Sequence, residues 1–101
     1  MQYCTFRGRV YRVAHRRQKK VWGTCDPPTH PGKTIYLDPN PVAEGRKVPK
    51  GSDALWLAIH EGLHACLWDL DEEAIDSTAV SLTNFLHRLG YRRASGPPSV
   101  A

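Results

Sequence analysis

The sequence predicts a small α+β domain in which a short three-stranded sheet, antiparallel or mixed, precedes two antiparallel helices. β-Branched and aromatic residues lie in short alternating segments before residue 38, whereas residues 53–89 carry apolar side chains at helical spacing. A chain of 101 residues has room for one modest core. We therefore expect one domain at residues 1–93, followed by a disordered tail at residues 94–101, where Gly and Pro recur.

Residues that break regular structure separate the three candidate strands. Residues 3–14 are rich in β-branched and aromatic side chains and predict the first strand. Residues 21–25 predict a short second strand, which the Asp26-Pro27-Pro28 segment ends. Residues 33–37 predict the third strand, and a loop at residues 42–51 leads from it to the first helix.

The first helix is expected to begin at Ser52 or Asp53. Either side chain can accept hydrogen bonds from the backbone amides that the first turn of a helix leaves free. The helical spacing of apolar residues continues to about Leu67 or Trp68, where we place the end of this helix.

The second helix follows a short turn, and Asp69 and Asp71 are competing candidates for its N-cap. We expect the helix to extend to about Leu89, because Gly90 is well placed to terminate it. The apolar stripe predicted for this helix consists of Ile75, Ala79, Leu82, Leu86 and Leu89.

Charge is distributed unevenly along the chain, although the net charge is only +4. Residues 1–20 contain seven Arg or Lys residues and no acid, whereas residues 53–76 contain seven acids and no Lys or Arg. Such polarity is found on nucleic-acid-binding surfaces. We favour a solvated strand face opposite an acidic helical half, because the basic segment has few aromatic residues beyond Phe6 and Tyr11.

The composition is typical of a globular protein in a reducing compartment. The sequence has no apolar segment long enough for a membrane span or a signal-peptide core, so we expect a cytoplasmic location and no membrane partner. The three cysteines, Cys4, Cys25 and Cys66, are an odd number without CxxC spacing. We expect free thiols, with Cys66 buried as a small apolar residue.

A metal-binding motif lies in the first predicted helix. His60, Glu61 and His64 form the pattern HExxH, in which residues four apart share one face of a helix. Both imidazoles can therefore reach one metal ion, and zinc suits them best. Glu61 follows the first histidine and can reach a water molecule on that ion. The alternative of two histidines on a solvated face is disfavoured, because Leu57 and Leu67 belong to the same stripe.

A catalytic zinc site needs a third protein ligand. The sequence does not match the longer motif HExxHxxGxxH, because Leu67 and Leu70 occupy the positions of its Gly and its third His. The ligand should then come from the second helix or the turn before it. With Ile75 at the centre of the apolar stripe, Glu72 lies about 60° away, Asp76 about 100° and Glu73 about 160°. Glu72 faces the first helix best, with Asp76 as the alternative ligand or as a hydrogen-bond partner of a ligand imidazole.

The HExxH segment, followed by Glu72-Glu-Ala-Ile-Asp76 and Ala79, resembles the zinc metallopeptidases called gluzincins. The size and layout of residues 3–92 are similar to small metallopeptidases encoded by phages and other mobile elements, which would place the chain in a host cytoplasm. The resemblance implies a minimal zincin-like domain with one zinc ion per chain, held by His60, His64 and Glu72, and with Glu61 as general base. This chain departs from larger gluzincins in its short spacer and in Ile75, where a small residue is common.

The resemblance implies a zinc metalloendopeptidase, a hydrolase in which Glu61 activates a zinc-bound water against a peptide bond of a protein or peptide substrate. An oxyanion donor is also expected, and the candidates are Tyr36, His87 and Tyr91. We expect the third strand to be the sheet edge that pairs with an extended substrate. Its residues are Lys33, Thr34, Ile35, Tyr36 and Leu37. The domain is small, so a partner chain could supply specificity.

Two other functions compete with this interpretation. The first is a catalytically silent module that keeps zinc for stability, since metal binding can supply much of the folding energy of a small domain. The second is a DNA-associated protein that binds phosphates through its basic N-terminal half, for which affinity should fall steeply with salt. A nucleic-acid partner is the less favoured of these interpretations.

Overall fold

The structure, a computed structural model, describes residues 2–92 and confirms an α+β fold. Residues 1 and 93 of the predicted domain and the predicted tail at 94–101 lie outside the described residues. The elements follow in the order β1 (Gln2–Phe6), β2 (Arg9–His15), β3 (Gly23–Cys25), β4 (Thr34–Leu37), α1 (Asp53–Cys66) and α2 (Glu72–Arg88).

The first predicted strand is in fact a β-hairpin. β1 and β2 pair antiparallel, with Phe6 opposite Arg9, and a two-residue turn at Arg7 and Gly8 joins them. Both turn residues have positive φ, 49° and 80°, as in the tight hairpin turns that fit the twist of paired strands. The prediction of one strand at residues 3–14 is wrong because Arg is rare at such a turn, so the Arg-Gly pair gives only a weak turn signal.

The described residues contain one mixed sheet with the strand order β1-β2-β4-β3, so it has four strands where three were predicted. β2 and β4 are parallel, with Val13 opposite Ile35, and β3 and β4 are antiparallel. β4 therefore has a neighbour on each side. The prediction that residues 33–37 form a substrate-binding edge is wrong, because the backbone groups on both sides of β4 are used for pairing. Within residues 2–92 the edges are β1 and β3.

One face of the sheet packs on α1, and α2 packs on α1 from the other side. Tyr11, Ile35 and Ala65 form a buried cluster that joins β2, β4 and α1. The Tyr11 ring is fully buried, and it meets Phe6 edge to face with 5.7 Å between ring centroids. The layers are thus sheet, α1 and α2, and α1 is the element that every other layer contacts.

The two helices begin in different ways. Asp71 is the N-cap of α2, and its carboxylate accepts a hydrogen bond from the Ala74 amide at 2.7 Å. Asp71 and not Asp69 therefore starts this helix. The predicted side-chain cap of α1 is wrong: the Ser52 hydroxyl donates to the Pro49 carbonyl, and the Asp53 carboxylate accepts from the Ala43 amide. Both side chains tie the preceding loop to the helix instead.

The C-terminal half of α2 is oriented differently from the prediction. Ile75, Ala79 and Thr83 are fully buried, whereas Leu82 and Leu89 are 38% and 60% exposed. Steps of four residues keep Thr83 on the buried face, and its hydroxyl satisfies its hydrogen bond by donating to the Ala79 carbonyl at 2.6 Å. The prediction of Leu82 and Leu89 as core residues is therefore wrong.

Gly90 terminates α2 as predicted. Its φ is 97°, and its amide donates to the His87 carbonyl at 3.0 Å. The Tyr91 amide donates to the Leu86 carbonyl at 3.1 Å, which completes the paired hydrogen bonds of a Schellman motif. Neither helix in the described part of the chain has the length and hydropathy needed to cross a membrane.

Candidate metal centre

The two histidines of the motif lie one turn apart on the face of α1 that meets α2. Their ring centroids are 5.0 Å apart, and the His60 ring also packs against Trp56 at 5.4 Å. Burial lowers the pKa of His60, although the carboxylates of Glu72 and Asp76 act in the opposite direction. A neutral imidazole is the form that binds a metal ion.

Glu72, in the first turn of α2, brings its carboxylate between the two imidazoles. Its Oε1 lies 3.0 Å from Nε2 of His60, and its Oε2 lies 2.9 Å from Nε2 of His64. Ligand atoms of a tetrahedral zinc site lie about 3.3 Å apart, so these separations are close to those of a ligand set. His60, His64 and Glu72 could therefore hold a metal ion, since one ligand atom from each lies within 4.8 Å of the others.

Asp76 lies behind His60, one turn after Glu72. Its Oδ1 is 3.5 Å from Nδ1 of His60, a buried nitrogen that makes no hydrogen bond within residues 2–92. An imidazole that binds a metal through Nε2 carries its proton on Nδ1, and a carboxylate beside it fixes that tautomer. The position of Asp76 thus fits the hydrogen-bonding role expected from the sequence, and Glu72 is the residue that joins the two histidines.

Arg46 is a site residue that the sequence analysis did not identify. Its Nε donates to the same Asp76 oxygen at 2.6 Å, and its guanidinium lies 4.5 Å from the centroid of the Trp56 ring. Arg46 therefore ties the loop before α1 to both helices and orients Asp76 toward His60. No local pattern indicates this role, because Arg46 lies in an irregular loop 30 residues before its partner.

Replacing Asp76 by Ala should weaken zinc binding by about 10- to 100-fold, because His60 loses the carboxylate that orients its ring. Affinity would be measured by competition with a chromophoric zinc chelator. Asp69→Ala is the matched control, because Asp69 is exposed in the turn and its removal changes the net charge equally. Equal affinities for the two variants would contradict the role of Asp76.

Glu61 is buried on the side of α1 that faces β3. Burial raises the pKa of Glu61 to about 7, and repulsion by Glu72 acts in the same direction. Its side chain packs directly against Gly23: a Cβ atom at residue 23 would lie 3.0 Å from Oε2 of Glu61 and 2.9 Å from Cδ1 of Leu57. Glycine at this position therefore allows the strand to approach the helix and holds the carboxylate in place.

Gly23→Ala should displace the Glu61 side chain while leaving the metal ligands in position. We expect a stability loss of about 1–3 kcal/mol from the crowding. Thermal unfolding would be compared for Gly23→Ala and the wild type.

The control for this experiment is Gly62→Ala, in α1 directly after Glu61. A Cβ atom at residue 62 would meet Phe6 at 3.8 Å, an ordinary contact, and alanine favours a helix over glycine by about 1 kcal/mol. If Gly23→Ala were as stable as Gly62→Ala, the close packing of Gly23 against Glu61 and Leu57 would be contradicted.

The metal ligands and Glu61 open into one cleft of about 580 Å³ between α1 and the sheet edge. β3 and the three residues before it form one wall, and α1 forms the other. The charged side chains of the cleft, beyond the predicted ligands and Glu61, are Lys20, Glu44 and Arg46.

The three predicted oxyanion donors lie elsewhere in the structure, and their assignment to the site is wrong. Tyr36 lies on the opposite face of the sheet, where its hydroxyl accepts a hydrogen bond from Arg12 at 3.0 Å. His87 and Tyr91 line a separate cavity at the other end of α2. Residue type alone suggested them, whereas the cationic groups that do line the cleft, Lys20 and Arg46, come from irregular segments.

All three cysteines, which lie within the described residues, are free. Cys25 lines the cleft, and burial raises the pKa of its thiol to about 12, with a further contribution from Glu61. Cys25 is not part of the group His60, His64 and Glu72 whose ligand atoms converge. Cys66 is only partly buried, and Cys4 is exposed on the opposite edge strand.

Compared with known proteins, the chain matches no protein family, no curated protein and no solved structure.

Proposed function

We propose that this protein is a zinc-dependent metallopeptidase that cleaves peptide bonds in a cytoplasmic protein or peptide substrate. One observation carries the proposal: the ligand atoms of His60, His64 and Glu72 converge in a cleft that also contains the buried carboxylate of Glu61. A group that only binds a metal ion does not need a buried fourth ionisable side chain in the same cleft.

The donor set favours zinc over other common metal ions. Two imidazoles and one carboxylate are a ligand set of catalytic zinc sites, whereas calcium and magnesium prefer sites built from oxygen atoms. Three protein ligands also leave a fourth position for water or substrate. When bound, the zinc ion supplies Lewis acidity, which lowers the pKa of a water molecule and polarises a carbonyl group.

In this proposal Glu61 transfers a proton from the attacking water to the leaving amine. Its carboxylate accepts one proton from the attacking water and delivers it to the amide nitrogen as the carbon–nitrogen bond breaks. The walls around Glu61, formed by Gly23 and Leu57, exclude water from one side of the carboxylate. Asp76, which Arg46 holds near His60, would accept the Nδ1 proton and so favour the tautomer that binds through Nε2.

The substrate would lie along β3 in place of β4. β3 is an edge strand within the described residues, pairs with β4 on one side and borders the cleft with the other. An extended peptide can add to such an edge through backbone hydrogen bonds, and side-chain pockets then supply specificity. Lys20 and Arg46 replace the tyrosines and His87 as the candidates that stabilise the developing oxyanion.

A peptide library tests the proposed function. The zinc-loaded chain would be incubated with peptides derived from a whole proteome, and new termini would be identified by mass spectrometry. We expect cleavage at recurring sequences, which a zinc chelator abolishes and added zinc restores. Cleavage no greater than in the chelated sample, with peptides or folded proteins, would contradict the proposal and favour a silent zinc module.

A further inference from the structure

The face of the sheet that points away from α1 is a second surface of distinct chemistry. Alternation along the strands places Tyr3, Arg12, Thr34 and Tyr36 on this face, opposite the face that carries Tyr11 and Ile35. Within residues 2–92 no helix packs against it. A groove of about 480 Å³ lies on this surface and is separate from the metal cleft.

Two tyrosines and two arginines organise the surface. Tyr3 is 66% exposed and lies directly opposite Arg12 in the β1–β2 pair. Arg12 donates a hydrogen bond to the Tyr36 hydroxyl, and the guanidinium of Arg16 stacks on the Tyr36 ring at 3.9 Å from its centroid. These contacts hold the Tyr36 ring in a fixed orientation beside two positive charges.

The two tyrosines lie on the same face but not side by side. Tyr3 is level with Thr34 through Arg12, and Tyr36 is two residues further along β4, so the two backbone positions are about 12 Å apart. Aromatic rings on an exposed sheet are a common platform for single-stranded nucleic acid, because every base presents a flat face for stacking.

The charge of the surface matches a phosphate backbone. Arg12 and Lys33 line the groove, Arg16 stacks on the Tyr36 ring beside it, and Arg17 follows Arg16 in the sequence. Asp26 is the acid that lines the groove, and its carboxylate accepts a hydrogen bond from the Thr34 amide at 2.9 Å. The exposed charge here is therefore mainly positive.

From these observations we infer that the outer face of the sheet binds single-stranded nucleic acid, with a base on the exposed Tyr3 ring and phosphates near Arg12 and Arg16. A flat aromatic surface favours unpaired bases over a duplex, whose bases are already stacked. Anionic membranes and polysaccharides would use the same positive charge but would not need the tyrosines. The inference does not depend on the metal centre or on peptidase activity.

The test is fluorescence anisotropy of a labelled oligothymidylate of about 15 nucleotides with the full-length chain, at several salt concentrations. Affinity should fall steeply with salt. Tyr3→Ala should weaken binding by about 5-fold or more, because it removes one stacking platform. Arg16→Gln should weaken binding and lower the slope of log affinity against log salt by about 0.7, the contribution of one phosphate contact.

Matched controls on α2 and after it separate this surface from general charge and exposure. Tyr91 is 61% exposed, close to Tyr3, and Arg88 is exposed on α2. Tyr91→Ala and Arg88→Gln should leave the affinity unchanged. Circular dichroism of every variant would show that the fold is retained, and Tyr36→Phe, which keeps the ring, should bind within about 2-fold of wild type.

Three results would overturn the inference. The first is no binding to the oligonucleotide at about 50 mM salt. The second is equal weakening by Tyr3→Ala and Tyr91→Ala. The third is competition by heparin, anionic vesicles or a duplex of the same length that is as effective as competition by unlabelled single strand, which would indicate a general polyanion surface.

Discussion

Replacing Glu61 by Gln is expected to abolish peptide hydrolysis while zinc binding and the fold are retained. The amide has nearly the shape of the carboxylate but cannot accept a proton at neutral pH. General base catalysis contributes about 10²- to 10⁴-fold, so the cleavage rate should fall by that factor. Zinc content should stay at the wild-type level, since the proposed ligands are His60, His64 and Glu72.

The same variant should be at least as stable as the wild type without zinc. Glu61 is buried, and both its burial and the charge of Glu72 disfavour the ionised carboxylate. The control is Glu73→Gln, at an exposed glutamate outside the ligand group. Full turnover by Glu61→Gln with zinc bound would show that Glu61 is not the general base.

Zinc is expected to stabilise the chain strongly. A ligand at about 1,000 times its Kd stabilises the native state by about 4 kcal/mol. In a domain of this size each kcal/mol shifts Tm by about 4–8 °C, so Tm should rise by about 16–32 °C. The structural reason is that α2 contacts no strand within residues 2–92 and packs on α1 and the loop before it, and the ligand set joins the two helices.

Differential scanning fluorimetry with and without zinc would measure this shift. His64→Ala should remove most of it, whereas His30→Ala should keep it, because His30 lies in an exposed loop away from the ligand group. An equal zinc shift in His64→Ala would place the stabilising metal elsewhere. A normal shift in a wild-type chain that cleaves nothing would identify the silent zinc module.

The local parts of the site could be predicted from the sequence because they depend on helix geometry. His60 and His64 are one turn apart in any α-helix, and the angular position of Glu72 relative to Ile75 follows from 100° per residue. The same rule predicts that Asp76, one turn after Glu72, also lies near the first helix, and its carboxylate is 3.5 Å from Nδ1 of His60. One short turn joins the helices, so few arrangements were open to the second helix.

The features that could not be predicted depend on contacts between segments that are distant in the sequence. Strand periodicity gives the two faces of β4 but not its neighbours, and the parallel pairing with β2 places β4 inside the sheet. Likewise, nothing near Arg46 in the sequence indicates that it reaches Asp76. The close packing of Gly23 on Glu61 also joins residues that are 38 positions apart.

The predicted apolar stripe of α2 was wrong for a different reason. Hydrophobicity favoured Leu82 over Thr83, yet Thr83 is fully buried because its hydroxyl bonds to the Ala79 carbonyl within the helix. A threonine that satisfies its own polar group behaves as a small core residue. A pattern based on apolar side chains alone does not include this case.

The central claim is that His60, His64 and Glu72 together bind one zinc ion, and the most direct test is metal content by mass spectrometry. Purified wild type and Glu73→Ala should contain about one zinc per chain, and Glu72→Ala should lose zinc or hold it far more weakly. Wild type that stays free of metal after exposure to zinc, or Glu72→Ala that retains zinc as firmly as Glu73→Ala, would contradict the account.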